Sequence, residues 1–279
     1  MPRSLFARDY ELRIQVGDDQ AVIVRPPIRV QFSCDKSIAG GLNRLDISVY
    51  NLRESNRLAV AKDPEEQRYI PISFQMGYKD RLEPMFRGSV HTATNRRDGS
   101  DIVTEIECID GGFDYQFAET DRTLAAGADV VDEVLRDMPN TQRGAVARRQ
   151  RLIRPKVMTG RTPRILDTLI GPAERWFIDN ESLNIIGPNQ VVGDFVPLIS
   201  PTTGLLETPE REQRRVTVKT RFNPSVRPGG RFGLESTLAP QMDGVYRAET
   251  LQYEGDLDGD AWDQTITGLP VTAPEVVNV

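Results

Sequence analysis

Histidine is the side chain that most often does proton transfer or holds a transition metal, and this chain has one, His91. A single imidazole cannot build a histidine-based metal cluster, and a Ser-His-Asp triad would have to use this residue. His91 lies between Val90 and Thr92 in a strand-like run, and no nucleophile motif such as G-x-S-x-G accompanies it. Four aspartates, Asp256, Asp258, Asp260 and Asp263, have the look of a calcium loop. An EF-hand loop needs glycine at its sixth position and glutamate at its twelfth, where this chain has Ala261 and Thr267. Asp258-Gly259 is instead a tight-turn pair, so the group reads as a hairpin tip, with a non-EF cation site as the alternative. Glu105 and Glu107 share one face of a strand, opposite Ile106 and Cys108. That is how a solvated strand face looks, unlike two carboxylates set across a glycosidase cleft. Cys34 and Cys108 have no CxxC-type spacing and fall on apolar alternating segments, which predicts buried structural thiols. Gly40-Gly41 and Gly229-Gly230 are turn glycines, and no P-loop is present. The expectation is no catalytic residue, no metal and no cofactor.

One run is strongly basic: Arg143, Arg148, Arg149, Arg151, Arg154 and Lys156. It could contact phosphates or an acidic neighbouring subunit. Without aromatic residues it lacks the stacking platform of a single-strand binder, so a solvated connection and a protein-docking run are both open readings. The whole chain carries a net charge of -6, so a general basic footprint for nucleic acid is absent.

The elements that would position these residues are mostly strands. Leu12, Ile14 and Val16 alternate with polar residues; Ile28, Val30 and Phe32 repeat the pattern after Pro26-Pro27. Leu45, Ile47 and Val49 follow, then Ile70, Ile72, Phe74, Met76 and Tyr78. Residues 85–94 and 102–109 flank a turn from Asn95 to Ser100. One helix interrupts this set, capped by Ser55 and ended by Asp63-Pro64. From Gly111-Gly112 the pattern changes. Val130, Val131, Val134, Leu135 and Met138 follow helical spacing, and Thr162-Pro163 opens a second helix that Gly171 ends. Trp176 to Ile178 and Leu183 to Ile186 form a hairpin around Asp179-Asn180-Glu181. From about Val191 the chain is strand and turn again, with Val216, Val218 and Thr220 alternating, a turn at Arg227 to Gly230, and Gly244–Tyr253 pairing with Trp262–Gly268. The fold class predicted is mainly β: two small β-barrel domains, 1–112 and 191–279, bracketing a small α/β domain at 113–190. At 279 residues the chain is long enough for such a division. No apolar run reaches the roughly 20 residues of a membrane span, and MPRSLFARDYELRI does not read as a signal peptide. Folding in a cytoplasm, without membrane insertion, is therefore expected.

The last region resembles a known family. VPLISPTTGLLETP, RVTVKTRFNPSVRPGGRFGLES and DGVYRAETLQYEGDLDGDAWDQTITG are similar to the final domain of the baseplate hub proteins of contractile-tailed phages. The matching positions are Asn223-Pro224, Pro228-Gly229, Gly244-Val245-Tyr246, and Gly255-Asp256 through Gly259 to Trp262. FSCDKSIAGGLNRLDISVYNL fits the opening strands of such hubs more loosely. The resemblance implies a non-enzymatic homotrimer in the virion baseplate, assembled in the host bacterial cytoplasm. Three chains, each with two related barrels, would form a pseudo-sixfold ring that adapts the sixfold tail tube to the threefold central spike. Tape measure and baseplate wedge proteins are further implied partners, and DNA would pass the channel during ejection without specific binding. Asn223, Pro224, Pro228, Gly229, Gly244, Tyr246 and Trp262 are the residues expected to serve fold or contact. The alternatives are a tail-associated cell-wall hydrolase, a receptor- or carbohydrate-binding tail-tip module, or part of a related injection device.

Overall fold

Most runs in which apolar and polar residues alternate form paired strands with the apolar set buried, although Val16 and Ile28, expected in such runs, lie half-buried just outside them. The computed structural model describes residues 7–40, 42–79, 81–147 and 151–278. The first part supplies β1 (Arg8–Gln15), β2 (Ala21–Val24), β3 (Val30–Ser37), β4 (Arg44–Tyr50), β5 (Pro71–Tyr78), the long β6 (Arg81–Asp98) and β7 (Asp101–Ile109). In β1, Tyr10, Leu12 and Ile14 are fully buried while Arg13 is exposed, the period-2 pattern of a one-sided sheet. Helix α1 (Glu54–Val60) precedes β5. The middle part is α2 (Gly112–Phe117), β8 (Glu119–Leu124), α3 (Val130–Leu135), β9 (Gln142–Val146), β10 (Lys156–Arg161), α4 (Thr162–Leu169), β11 (Arg175–Asp179) and β12 (Ser182–Ile186). The last part adds β13 (Gln190–Val192), β14 (Leu198–Ile199), β15 (Glu210–Glu212), β16 (Arg215–Arg221), β17 (Arg231–Leu234), β18 (Gly244–Asp256), β19 (Trp262–Pro270) and β20 (Glu275–Val277).

The mainly β class holds, but no ring of pairings closes into a barrel among the described strands. Thirteen strands form one sheet, in the order β15-β16-β19-β18-β3-β4-β7-β6-β5-β1-β2, with β17 on β18 and β14 on β17. The two ends of the chain meet at its centre, where β18 runs antiparallel to β3 from Gln31↔Asp256 to Ser37↔Thr250. A backbone edge pairs with any other edge, so alternation reveals a strand but not its neighbour. The apolar faces follow the pairing: Leu12, Phe74 and Val90 belong to the same core cluster as Val218, Leu251 and Ile266. Phe32 packs edge-on against Phe74 at 4.8 Å and Trp262 at 5.7 Å between ring centroids. Gly255, opposite Phe32, leaves space for that ring, because a Cβ there would stand 2.2 Å from Phe32 Cε1.

The helices shift slightly from expectation. Ser55 caps nothing: α1 starts at Glu54 after Arg53, with no side-chain cap. Thr162 is the first residue of α4 rather than its cap, and that helix ends at Leu169, before Gly171. The Asp129 carboxylate caps α3 by accepting the amides of Val131 and Asp132. Helix α2 was not expected; its residues carry no helical apolar period. The middle part has its own core, built from Val131, Val134, Met138, Leu166, Ile178 and Leu183. Strands β11 and β12 pair antiparallel around a two-residue turn in which Asn180 and Glu181 both have positive φ, as the Asp179-Asn180-Glu181 signal predicts. No helix among the described residues is long and apolar enough to cross a membrane.

Candidate assembly interface

Several buried or half-buried charged residues face each other across joints between the parts of this molecule. At the first joint the β11–β12 tip enters the sheet. The Asp110 carboxylate, fully buried just after β7, accepts the backbone amides of Asn180 at 2.6 Å and Glu181 at 2.7 Å. Asn43 bridges to it at 3.3 Å and donates to the Ile178 carbonyl at 2.7 Å. Lys36 from β3, 3% exposed, donates to Asp179 at 2.7 Å and to Asn180 Oδ1 at 3.1 Å. Tyr69 adds a hydrogen bond to Glu181 at 2.6 Å. Burial pushes the Asp110 carboxyl up to about 7, against the opposing pull of the Lys36 ammonium and the two amides. Burial is the strongest single influence on Lys36 and works against its charge, but the charge and hydrogen bond of Asp179 together with the neighbouring Asp110 and Cys34 outweigh it and raise the ammonium above its ordinary value. The Asp179-Asn180-Glu181 turn was legible in the sequence, but Asp110, Asn43, Tyr69 and Lys36 were not, because a lysine on a strand is ordinarily read as solvated.

At the second joint Arg247 of β18 is buried with Glu249, which accepts from Nε at 2.7 Å. Its Nη1 also reaches the carbonyls of Pro188 at 2.8 Å and Gln190 at 3.0 Å. One guanidinium thus ties the loop leaving the middle part to the central sheet. Just before β17, the neighbour of β18, Pro228-Gly229 turns against the same place. Gly229, at φ +74°, accepts from Val192 at 2.8 Å and donates to Ala248 at 2.9 Å, while Phe177 and Ile186 crowd the position of its missing side chain.

At the third joint the acidic hairpin tip folds onto the first strands. Asp256 accepts from Arg29 at 2.8 Å and Gln31 at 2.7 Å, and the Asp258 amide donates to it. The hydrogen bond from Arg29 holds its carboxyl well below the usual range. This aspartate is occupied by an arginine, and among the described residues no group of three or more His, Cys, Asp or Glu is placed to hold a metal ion. Arg8 donates to the carbonyls of Asp256 and Asp260 at 2.7 Å each, closing the tip as a turn. Trp262 is buried and donates to the Gly77 carbonyl at 3.1 Å, linking β19 to the end of β5.

The other sequence-selected residues scatter around this frame. Asn223-Pro224 forms a turn, with the Asn223 side chain accepting from Ser225 at 3.2 Å and its carbonyl accepting from Val226 at 3.2 Å. It borders a cleft of about 610 Å3 shared with Phe195, Leu198 and Tyr78. Tyr246 is buried, donates to the Met242 carbonyl at 2.6 Å and stacks on Phe232. Gly244 is the exposed member of the set. Of the basic run, Arg143 pairs with Asp129 and Asp132 at the start of α3, Arg151 and Arg154 are exposed, and Arg148 and Arg149 lie outside the described residues. His91 sits half-buried in β6. Glu105 and Glu107 pair with Arg96 and Arg44, as residues of a solvated face do. Cys34 and Cys108 are buried free thiols whose ionisation burial opposes.

Comparison with known proteins places this frame. The model of the family described as baseplate hub gp41 matches residues 11–258. No curated protein matches the chain in sequence. Among solved structures, the 43 kDa tail protein of prophage MuSo2 from Shewanella oneidensis is similar with a TM-score of 0.66 at 9% identity, over 95% of this chain and 97% of that one. The tail protein of Neisseria meningitidis MC58 gives 0.60 at 9% identity over the same shares, 95% and 97%. The c3393 protein of E. coli gives 0.63 at 9% identity, over 95% of this chain and 78% of its own. That protein is described as a component of the type VI secretion system with structural similarity to T4 tail proteins gp27 and gp5. At these identities the likeness is one of fold.

Proposed function

We propose that this chain, which belongs to the baseplate hub gp41 family, is a structural subunit of a phage tail that works by assembly and without chemistry. The observation that carries this reading is the family match across residues 11–258. Three copies close into a ring with a central channel, which joins the sixfold tail tube on one side to the threefold spike on the other. The central pairing of β3 with β18 supports it: one rigid sheet made from both ends of the chain gives each copy two strand-rich halves to present. The open ends of that sheet, β2 and β15, are edges that assembly would cover. Residues 113–190 act as a separate unit clamped to the sheet by Asp110, Lys36 and Arg247. Asn223, Pro224, Pro228, Gly229, Tyr246 and Trp262 shape the loops and hairpin of the last part, and Gly244 borders its exposed edge. A net charge of -6 suits a channel that lets DNA pass without holding it. The tube, spike, tape measure and wedge proteins are its partners, and the virion baseplate, built in the host cytoplasm, is its place.

The test is mass in solution followed by imaging. Light scattering of the purified chain should give three times its own mass, and reconstruction of tail particles should place it between tube and spike. A monomer at high concentration together with no density at that position overturns the proposal.

A further inference from the structure

A cleft of about 420 Å3 opens where the middle part meets the last, and its charge is all of one sign. Arg175, Arg214 and Arg247 line it, and no Asp or Glu does, on a chain whose net charge is -6. The three arginines are held differently. Arg247 is buried and bound by Glu249 and by the carbonyls of the loop after β12. Arg175, at the start of β11, keeps a side chain 57% exposed and lies 3.8 Å from Glu249 Oε2. Arg214 is exposed in the turn between β15 and β16, where Gln213 at φ +53° reverses the chain. It has no ion-pair partner among the described residues. Apolar residues share the lining: Leu269 and Val271 are half-buried, with Ile38 and Ile186 buried behind the surface.

Two incompletely neutralised guanidinium groups beside apolar lining residues fit a ligand that brings carboxylates and hydrocarbon together. We propose that this cleft docks an acidic peptide segment of a neighbouring protein. Its carboxylates would pair with Arg175 and Arg214, and its apolar side chains would rest on the half-buried Leu269 and Val271. A nucleic-acid backbone answers the charge but offers nothing for the apolar lining, and the cleft has no aromatic platform for bases. The volume lies within the range of roughly 300–1,000 Å3 usual for ligand pockets. This site stands on its own and does not depend on the hub reading.

The test is fluorescence anisotropy on the full chain with three labelled probes: a short peptide alternating Glu and Leu, its Gln-for-Glu counterpart, and a single-stranded DNA oligonucleotide. The Glu–Leu peptide should bind saturably, more weakly as salt rises, and about tenfold or more better than the Gln–Leu peptide. The double variant Arg175→Glu with Arg214→Glu, both exposed positions, should lose that binding and gain preference for a Lys–Leu peptide. Unchanged circular dichroism and thermal unfolding will show that the variant is folded. Absence of saturable peptide binding, equal affinity for the Gln–Leu peptide, or an unchanged preference in the double variant each overturns the proposal. DNA binding that the same substitutions abolish, and that the Glu–Leu peptide cannot compete away, overturns it in favour of a nucleic-acid site.

Discussion

Replacing Asp110 by asparagine should change how the stability of this protein responds to pH. The Asp110 carboxyl is fully buried, and burial pushes it up to about 7 from an ordinary value of 3.8. Between those two pH values the folded chain holds a proton that the unfolded chain has released. Stability therefore falls as pH rises from about 4 to about 7 and levels off above that. Each pH unit of displacement corresponds to about 1.4 kcal/mol, so the full fall attributable to this group is on the order of 4 kcal/mol. Asp110→Asn removes the titration; because Asn180 and Glu181 donate to different oxygens of Asp110, its single oxygen keeps the acceptor for only one of the two amides, a loss of stability that does not vary with pH. Denaturant unfolding at a series of pH values and fixed ionic strength should show a steep wild-type decline in that window and a markedly flatter one in the variant. Burial raises the carboxyls of Glu181 and Asp263 in the same direction, so the difference between the two proteins is the diagnostic quantity. Asp256 acts with the opposite sign and elsewhere: Arg29 holds its carboxyl low, so its contribution is present above about pH 4 and is lost as pH falls further. Amide exchange at residues 180 and 181 gives a local reading of the same joint. If both proteins show the same slope between pH 4 and 7, the argument that burial sets the state of Asp110 is wrong.

Two further substitutions test the packing argument. Gly229→Ala combines a left-handed backbone with a Cβ 3.1 Å from Val192 and 3.2 Å from Phe177, whereas Gly40→Ala at φ +88° meets nothing within 4 Å. Gly40→Ala should cost about 1 kcal/mol, and Gly229→Ala should cost about 1–3 kcal/mol more. Equal denaturant midpoints for the two variants would refute the role given to that turn. Trp262→Ala, which empties a buried site and removes the hydrogen bond to the Gly77 carbonyl, should lower stability by about 3–5 kcal/mol; Trp262→Phe, losing the hydrogen bond and part of the ring, should cost clearly less, as read by equilibrium unfolding.

How much of this could be read in advance differs from one element to the next. Strands carried by alternation, such as β1, β3, β4 and β16, were legible, as was the tight turn at residues 179–182; the β6–β7 hairpin was legible too, but its turn is narrower than the expected Asn95–Ser100, since β6 stays paired through Asp98. The acidic tip between β18 and β19 was legible as a turn because Asp256, as first position, fails the calcium-loop spacing. Short β2 and α2 were missed, since four apolar residues or a single helical turn carry no usable period. The joints were missed for another reason. Asp110, Lys36 and Arg247 are ordinary charged residues in sequence, and only their partners, 143 positions away in the case of Lys36 and Asp179, make them buried and fixed.

The sequence by itself determined that this is a mainly β protein with a helical interlude, because side-chain period and turn chemistry are local properties. Its resemblance to the baseplate hub family was also written there, in Asn223-Pro224, Pro228-Gly229 and the hairpin from Gly244 to Trp262. Only the tertiary structure decided that the two ends of the chain share one sheet and one core. Backbone hydrogen bonding is blind to sequence distance, and the choice of β18 as neighbour of β3 rests on three-dimensional fit, with Gly255 making room for Phe32.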